Sequence, residues 1–200
     1  MTIAYRAGPS RRVLLAFPLL IAGAVAWNVI AGGLSARQWI LGPFAGFALW
    51  TLVEYAVHRW LFHIVPESPW LLERQQHLAH HASPTDAAYF VIPLWLSLPI
   101  AGLLWVVLRL AAGTWAEAAL VLTGAMAGYV AYELVHYEIH LGRGRGRLQR
   151  YWRRHHLYHH LTDDARCFGF TTSFWDSVFG TARPRRARRR ESRWRGIGAE

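Results

Sequence analysis

"GYVAYELVHYEIH", residues 128–140, carries an apolar run directly into a pair of histidines. The run, Trp115–Val135, is long enough to cross a bilayer core, which takes about 20 helical residues. His136 and His140 follow at i and i+4, the spacing that puts two side chains on one helix face. The stretch therefore predicts a membrane helix that leaves the bilayer presenting two imidazoles in one direction.

Working outward, three further runs are long enough to span: Val13–Ile30, Trp39–Val57 and Ala87–Leu108. Hydrophobic residues make up 54% of the 200, charged residues 17%, and the formal charge is +10. A chain this apolar and this basic reads as a membrane protein with basic flanks rather than a nucleic-acid binder. The expected fold is all-α, a four-transmembrane-helix bundle. Residues 13–182 form the membrane-embedded domain, 1–12 a cytosolic N-terminal segment and 183–200 an Arg-rich cytosolic tail. The first run follows Arg6, Arg11 and Arg12, but it is longer than a secretory signal core and "AGGLSAR" is a poor cleavage site, so it reads as a retained span. Pro93 and Pro99 inside the third run predict a kinked helix, which neighbouring helices tolerate.

The arginines orient the bundle. The chain has 22 basic residues, all arginine, and only Arg37 and Arg109 fall in the connections 31–38 and 109–114. The other side is therefore cytoplasmic and holds both termini, as in a bacterial inner membrane. The tail "ARPRRARRRESRWRG" suits anionic lipid headgroups, and no aromatic platform accompanies it for stacking nucleic-acid bases. The single cysteine, Cys167, excludes an internal disulfide and a cysteine-built zinc cluster; between Arg166 and Phe168 it reads as packing.

All 11 histidines fall in four short stretches: "HRWLFH" (58–63), "HLAHH" (77–81), "HYEIH" (136–140) and "HHLYHH" (155–160). The first two follow the second span and the last two follow the fourth, so all four emerge on one face of the membrane. His77 with His80 and His81, and His156 with His159 and His160, stand at i, i+3 and i+4, so each trio can present its rings in one direction. His58 and His63 are five apart, about 140° around an ideal α-helix. For both to ligate, the helix must end or bend near Leu61, with Pro66 soon after, or the two must serve different ions.

Histidines crowded among arginines gain nothing from becoming charged, whereas a bound metal holds them neutral by occupying their lone pairs. Ten imidazoles are too many for one ion and suit two, each with open coordination positions. Imidazole accepts Fe, Zn, Cu and Ni alike. At a membrane surface the fitting chemistry is oxidation of an acyl C–H bond by O2, which needs a redox-active metal.

These stretches resemble the boxes of the membrane-bound fatty acid hydroxylase/sterol desaturase superfamily. The likeness runs from about Glu54 to Thr181 through "EYAVHRWLFH", "HLAHHASPTD", "GYVAYELVHYEIH" and "HHLYHH", and the ending "GFTTSFWDSVFGT" resembles the fatty acid 2-hydroxylases within it. The resemblance implies a four-helix membrane anchor carrying a cytosolic histidine-rich di-metal cap with two iron ions, zinc being able to fill the sites of purified protein. It carries over His58, His63, His77, His80, His81, His136, His140, His156, His159 and His160 as ligands, with His155 holding a neighbour in place. It also implies a catalytic tyrosine–acid pair at Tyr132 and Glu133, although the family members considered carry Asp at the acid. Glu133, and Glu54 one turn before His58, are suited to orienting a ligating imidazole.

The implied activity is O2-dependent hydroxylation at C2 of a fatty acid or a sphingolipid-type acyl group. Twelve residues before the first span leave no room for a fused haem domain, so electrons are expected from a separate ferredoxin- or cytochrome-like donor. A sterol desaturase-like or carotenoid hydroxylase-like oxidase shares the chemistry with another substrate. A zinc-binding membrane protein, or a bis-histidine haem carrier, would use histidines without oxygenation.

Overall fold

The computed structural model describes residues 11–64, 72–86, 89 and 92–184. The outer parts of the predicted N-terminal segment and Arg-rich tail, with Pro66, lie outside them. The described residues are helical with connecting turns, and no strand occurs among them. In order they form α1 (Arg11–Ala31), α2 (Ala36–Ala56), a π-helical stretch (Val57–Ile64), α3 (Leu72–Ala82), α4 (Leu94–Ala112), α5 (Trp115–Leu141), α6 (Arg147–Leu161) and α7 (Phe174–Val178). Four segments are long and apolar enough to cross a membrane: Arg12–Ala31, Ala36–Ile64, Leu94–Ala111 and Trp115–Leu141. Their outward side chains are what lipid would meet, with Ile30 85% and Leu110 82% exposed.

One helix boundary differs from that expected. The third apolar run was expected to span from Ala87, but its helix begins at Leu94, after an extended Pro93 that has no N–H to give to a helix. Pro99 lies within α4. The fourth run continues past Val135 as one helix, α5 running through His140 to Leu141, as the one-face placing of His136 and His140 expects. Leaving an apolar environment does not end a helix whose next turn still packs; Val135 and Ile139 bury themselves against Leu157 of α6. The glycines that follow stop α5, and Gly144 adopts φ +58°.

The chain divides into two compact units, 1–53 with 87–133, and 54–86 with 134–200. In the first, α2 and α5 approach through two small-residue motifs, Gly42-x-x-x-Gly46 and Gly124-x-x-x-Gly128. A Cβ on Gly46 would lie 1.8 Å from the Val121 carbonyl oxygen, and one on Gly124 would lie 1.9 Å from that of Pro43. Only glycine permits these backbones to be so close. Aromatic edges close the rest, with Phe17 against Tyr129 at 4.7 Å and Trp50 against Tyr129 at 5.2 Å. The second unit contains every histidine.

Candidate metal centre

The ten histidines expected to ligate come together as two groups of five. One holds His58, His63, His77, His81 and His159; the other holds His80, His136, His140, His156 and His160. Within each group, one ring nitrogen from every member lies within 4.8 Å of the others. The two trios are divided between the groups. Each splits, sending its i, i+4 pair to one group and its remaining ring to the other. Thus α3 gives His77 and His81 to the first and His80 to the second, while α6 gives His156 and His160 to the second and His159 to the first.

The five-residue gap is bridged by a change of helix type. The helix does not end at Leu61; it widens into the π-helical stretch Val57–Ile64, in which residues five apart align. His58 and His63 thereby join the same group. In the α-helical α5 the equivalent pair needs the ordinary i, i+4 spacing of His136 and His140.

Four rings of the first group close a circuit. His63 Nε2 lies 2.9 Å from His77 Nε2, which is 3.0 Å from that of His81; His159 Nε2 completes it at 3.1 Å from both His81 and His63. A square with such edges holds its corners about 2.1 Å from the centre, the distance at which imidazole nitrogen binds a first-row metal ion. Hydrogen bonds cannot satisfy this circuit, because a neutral imidazole has one N–H and one lone pair. A central cation would satisfy all four edges. In the second group His80 Nε2 lies 3.1 Å from His140 Nε2 and 3.0 Å from His136 Nε2, and those of His156 and His160 are 2.9 Å apart.

Tautomers support the same conclusion. The Phe168 carbonyl accepts from His58 Nδ1–H at 2.6 Å, and the Arg166 carbonyl accepts from His159 Nδ1–H at 2.7 Å. A carbonyl only accepts, so the proton sits on Nδ1 and each Nε2 keeps a bare lone pair. The Nε2 of His58 is buried and has no hydrogen-bond partner. These residues fit a metal ion. Burial, reinforced by neighbouring imidazoles, pushes two rings on α3 far below the usual histidine range, His81 to about 4 and His80 to about 2. His77, His156, His159 and His160 shift the same way for the same first cause. All are therefore neutral, as ligation requires.

The remaining candidates have other partners. Glu54, suited by its place one turn before His58 to orienting an imidazole, has an Oε1 that accepts from the Phe170 N–H, the Thr171 N–H and the Thr171 hydroxyl at 3.2, 2.9 and 2.8 Å. It holds the 170–171 turn while the Phe168 carbonyl serves His58. Glu133 and Tyr132 lie buried in the first unit, where Glu133 Oε1 accepts from the Ile92 N–H at 3.3 Å and the Tyr132 ring sits 6.0 Å from that of Trp50. His155, outside both groups, donates to Asp176 Oδ2 at 2.9 Å. Cys167 is fully buried, and burial pushes its thiol up to about 12, consistent with packing rather than reactivity. The sequence reading missed Asp176 and the backbone carbonyls of 166 and 168. The "FWD" of the final motif was its only pointer to Asp176, and a carbonyl carries no residue-type signal at all.

The sequence profile of the fatty acid hydroxylase family matches residues 43–181. The chain belongs to the fatty acid hydroxylase family. It is 38% identical over 138 residues to a dihydroceramide fatty acyl 2-hydroxylase of Arabidopsis thaliana, covering 68% of this chain and 58% of the relative. Identity to a ceramide very long chain fatty acid hydroxylase of Schizosaccharomyces pombe is 37% over 144 residues, 70% of this chain and 41% of the relative. Human fatty acid 2-hydroxylase is 33% identical over 150 residues, 72% of this chain and 39% of the relative. The chain thus spans between two fifths and three fifths of the length of these relatives. Among solved structures it is similar to full-length scs7p, of which only the hydroxylase domain is visible. The TM-score is 0.77 at 27% identity, over 86% of this chain and 66% of that one.

Proposed function

We propose that this membrane protein is an O2-dependent monooxygenase that hydroxylates C2 of a fatty acid or a sphingolipid-type acyl chain. The observation that carries the proposal is the pair of five-imidazole groups, each a set of buried or half-buried ring nitrogens at ligand spacing. It is supported by the relatives, whose names describe 2-hydroxylation of fatty or dihydroceramide acyl chains.

His58, His63, His77, His81 and His159 would hold one iron ion, and His80, His136, His140, His156 and His160 the other. Bound iron supplies redox chemistry toward O2 that zinc lacks, so zinc filling the same imidazoles would give an inactive protein. The protein's own part is to keep the α3 and α6 ligand rings neutral by burial and to fix the tautomers of His58 and His159 through backbone carbonyls. Tyr132 and Glu133 are the residues we assign to the substrate step. The apolar helices place the protein where an acyl chain is available.

Two electrons must reach the centre for each turnover, and we assign them to a separate ferredoxin- or cytochrome-like protein. Arg143, Arg145, Arg147, Arg150 and Arg154 are exposed around the start of α6 and suit an acidic donor. By the arginine distribution, the histidine unit and both termini face the cytoplasm of a bacterial inner membrane.

The test is aerobic turnover of iron-loaded protein with a reductant and an isotope-labelled long-chain lipid, read by mass spectrometry. A 2-hydroxy product from native protein is expected, and none from His159→Ala. Product with the hydroxyl elsewhere on the chain, or equal product from the variant, contradicts the proposal.

A further inference from the structure

Asp176 is a fully buried carboxylate outside both histidine groups, yet four donors converge on it. Its Oδ1 accepts from the Phe168 N–H at 2.9 Å and the Thr181 hydroxyl at 2.7 Å. Its Oδ2 accepts from the Gly169 N–H at 2.9 Å and from His155 Nε2–H at 2.9 Å. The Gly169 N–H belongs to the same peptide unit as the Phe168 carbonyl, and that carbonyl accepts from His58 Nδ1–H. One trans peptide therefore joins the two groups, its N–H on the carboxylate and its C=O on the imidazole.

A carboxylate hydrogen-bonded directly to a ligating histidine fixes the ring and raises its basicity. Here the peptide stands between them. A negative charge on the N–H end of a peptide dipole draws electron density toward its carbonyl, and hydrogen bonds in such a chain strengthen one another. We propose that Asp176, acting through the 168–169 peptide, is the positioning residue that aims His58 and strengthens it as a donor in the first histidine group. The proposal rests on the reading of the histidines as ligands.

The local structure is built for this contact. A Cβ on residue 169 would lie 2.1 Å from the Thr172 carbonyl oxygen and 3.0 Å from Asp176 Oδ2, so glycine is required there. Just before it, Cys167 holds φ +62°, a costly conformation for a residue with a Cβ, while its N–H donates to the Thr181 carbonyl at 2.9 Å. The peptide's orientation is thus imposed by its surroundings. The second group takes no ring from the π-helical stretch and none of its members is His58, so it lies off this relay.

The test is a zinc titration of the full chain in detergent against a chromophoric chelator. The two binding steps are assigned with His63→Ala, which removes a first-group ring, and His140→Ala, which removes a second-group ring. Asp176→Asn keeps the side-chain volume and removes the charge. It is expected to weaken the first-group ion about 10- to 100-fold, the usual effect of losing such an outer partner, and to leave the second-group ion unchanged. Equal weakening of both ions indicates a merely structural residue and overturns the proposal, as does no weakening of either.

If Asp176→Asn does not fold, Thr181→Val takes its place. It removes one donor to the same carboxylate, leaves the peptide in position, and is expected to move the same ion by a smaller factor; no shift, or a shift of both ions, overturns the proposal. Native protein that binds no zinc contradicts the ligand reading itself, and so separates that failure from this one.

Discussion

The two histidine groups are made of the same parts in exchanged order. Each takes a pair from the helix that follows an apolar run, an i, i+4 pair from α3 or α6, and a single ring from the other of those two helices. They differ in how the first pair is brought together. His136 and His140 need only an α-helix, whereas His58 and His63 need the π-helical stretch that makes i+5 equivalent to i+4. They differ also in support. Two first-group rings have their tautomers fixed by carbonyls of one turn, held by Asp176 on one side and Glu54 on the other. The difference teaches that equivalent ligand sets arise from unequal backbones, with the irregular side stabilised by buried carboxylates.

The strongest way to break the comparison is to remove one ring from each side. His159→Ala in the first group and His136→Ala in the second are each expected to abolish hydroxylated lipid while the protein still inserts in the membrane. Lipid profiling with a membrane-fraction blot checks this. Activity surviving in one variant alone would make the groups functionally unequal.

Spacing offers a sharper cut. One alanine inserted after Leu61 makes the first pair i, i+6, which neither helix type aligns, and should cost the first ion alone. One alanine inserted after Tyr137 makes the second pair i, i+5 and should cost the second ion alone, unless α5 widens into a π-turn. Deleting Leu61 restores i, i+4, and is expected to retain two ions with the π-helical stretch converted to α-helix. Metal content per chain and circular dichroism follow all three.

The smallest effect is expected away from both groups. Gly46→Ala or Gly124→Ala forces apart the close approach of α2 and α5, at a cost of roughly 1–3 kcal/mol for overpacking. The thermal midpoint in detergent should fall while the metal content stays at two ions per chain. Loss of one ion only would tie helix packing to one group.

Much of this was legible from the chain itself. The apolar runs are read from length and composition, and the ten histidines stand out because they occupy so few windows. Their partition was not legible. Helical spacing showed that His77, His80 and His81 share a face, but which of two ions each ring meets depends on a few tens of degrees of rotation that spacing does not resolve. The π-helical stretch was hidden because "VHRWLFHI" has the residue types of an ordinary helix, and only the impossibility of aligning His58 with His63 on an α-helix hinted at a departure. The three donors that meet Glu54 Oε1 come from a turn distant in sequence, which its place one turn before His58 does not reveal.

The most direct test of the two-ion centre is an anomalous-scattering map from crystals of the iron-loaded protein. The account predicts two peaks per chain. One would lie about 2.1 Å from the Nε2 atoms of His63, His77, His81 and His159, and the other among His80, His136, His140, His156 and His160. A single peak shared between the groups, or density bound by other residues while these rings stay empty, would contradict it.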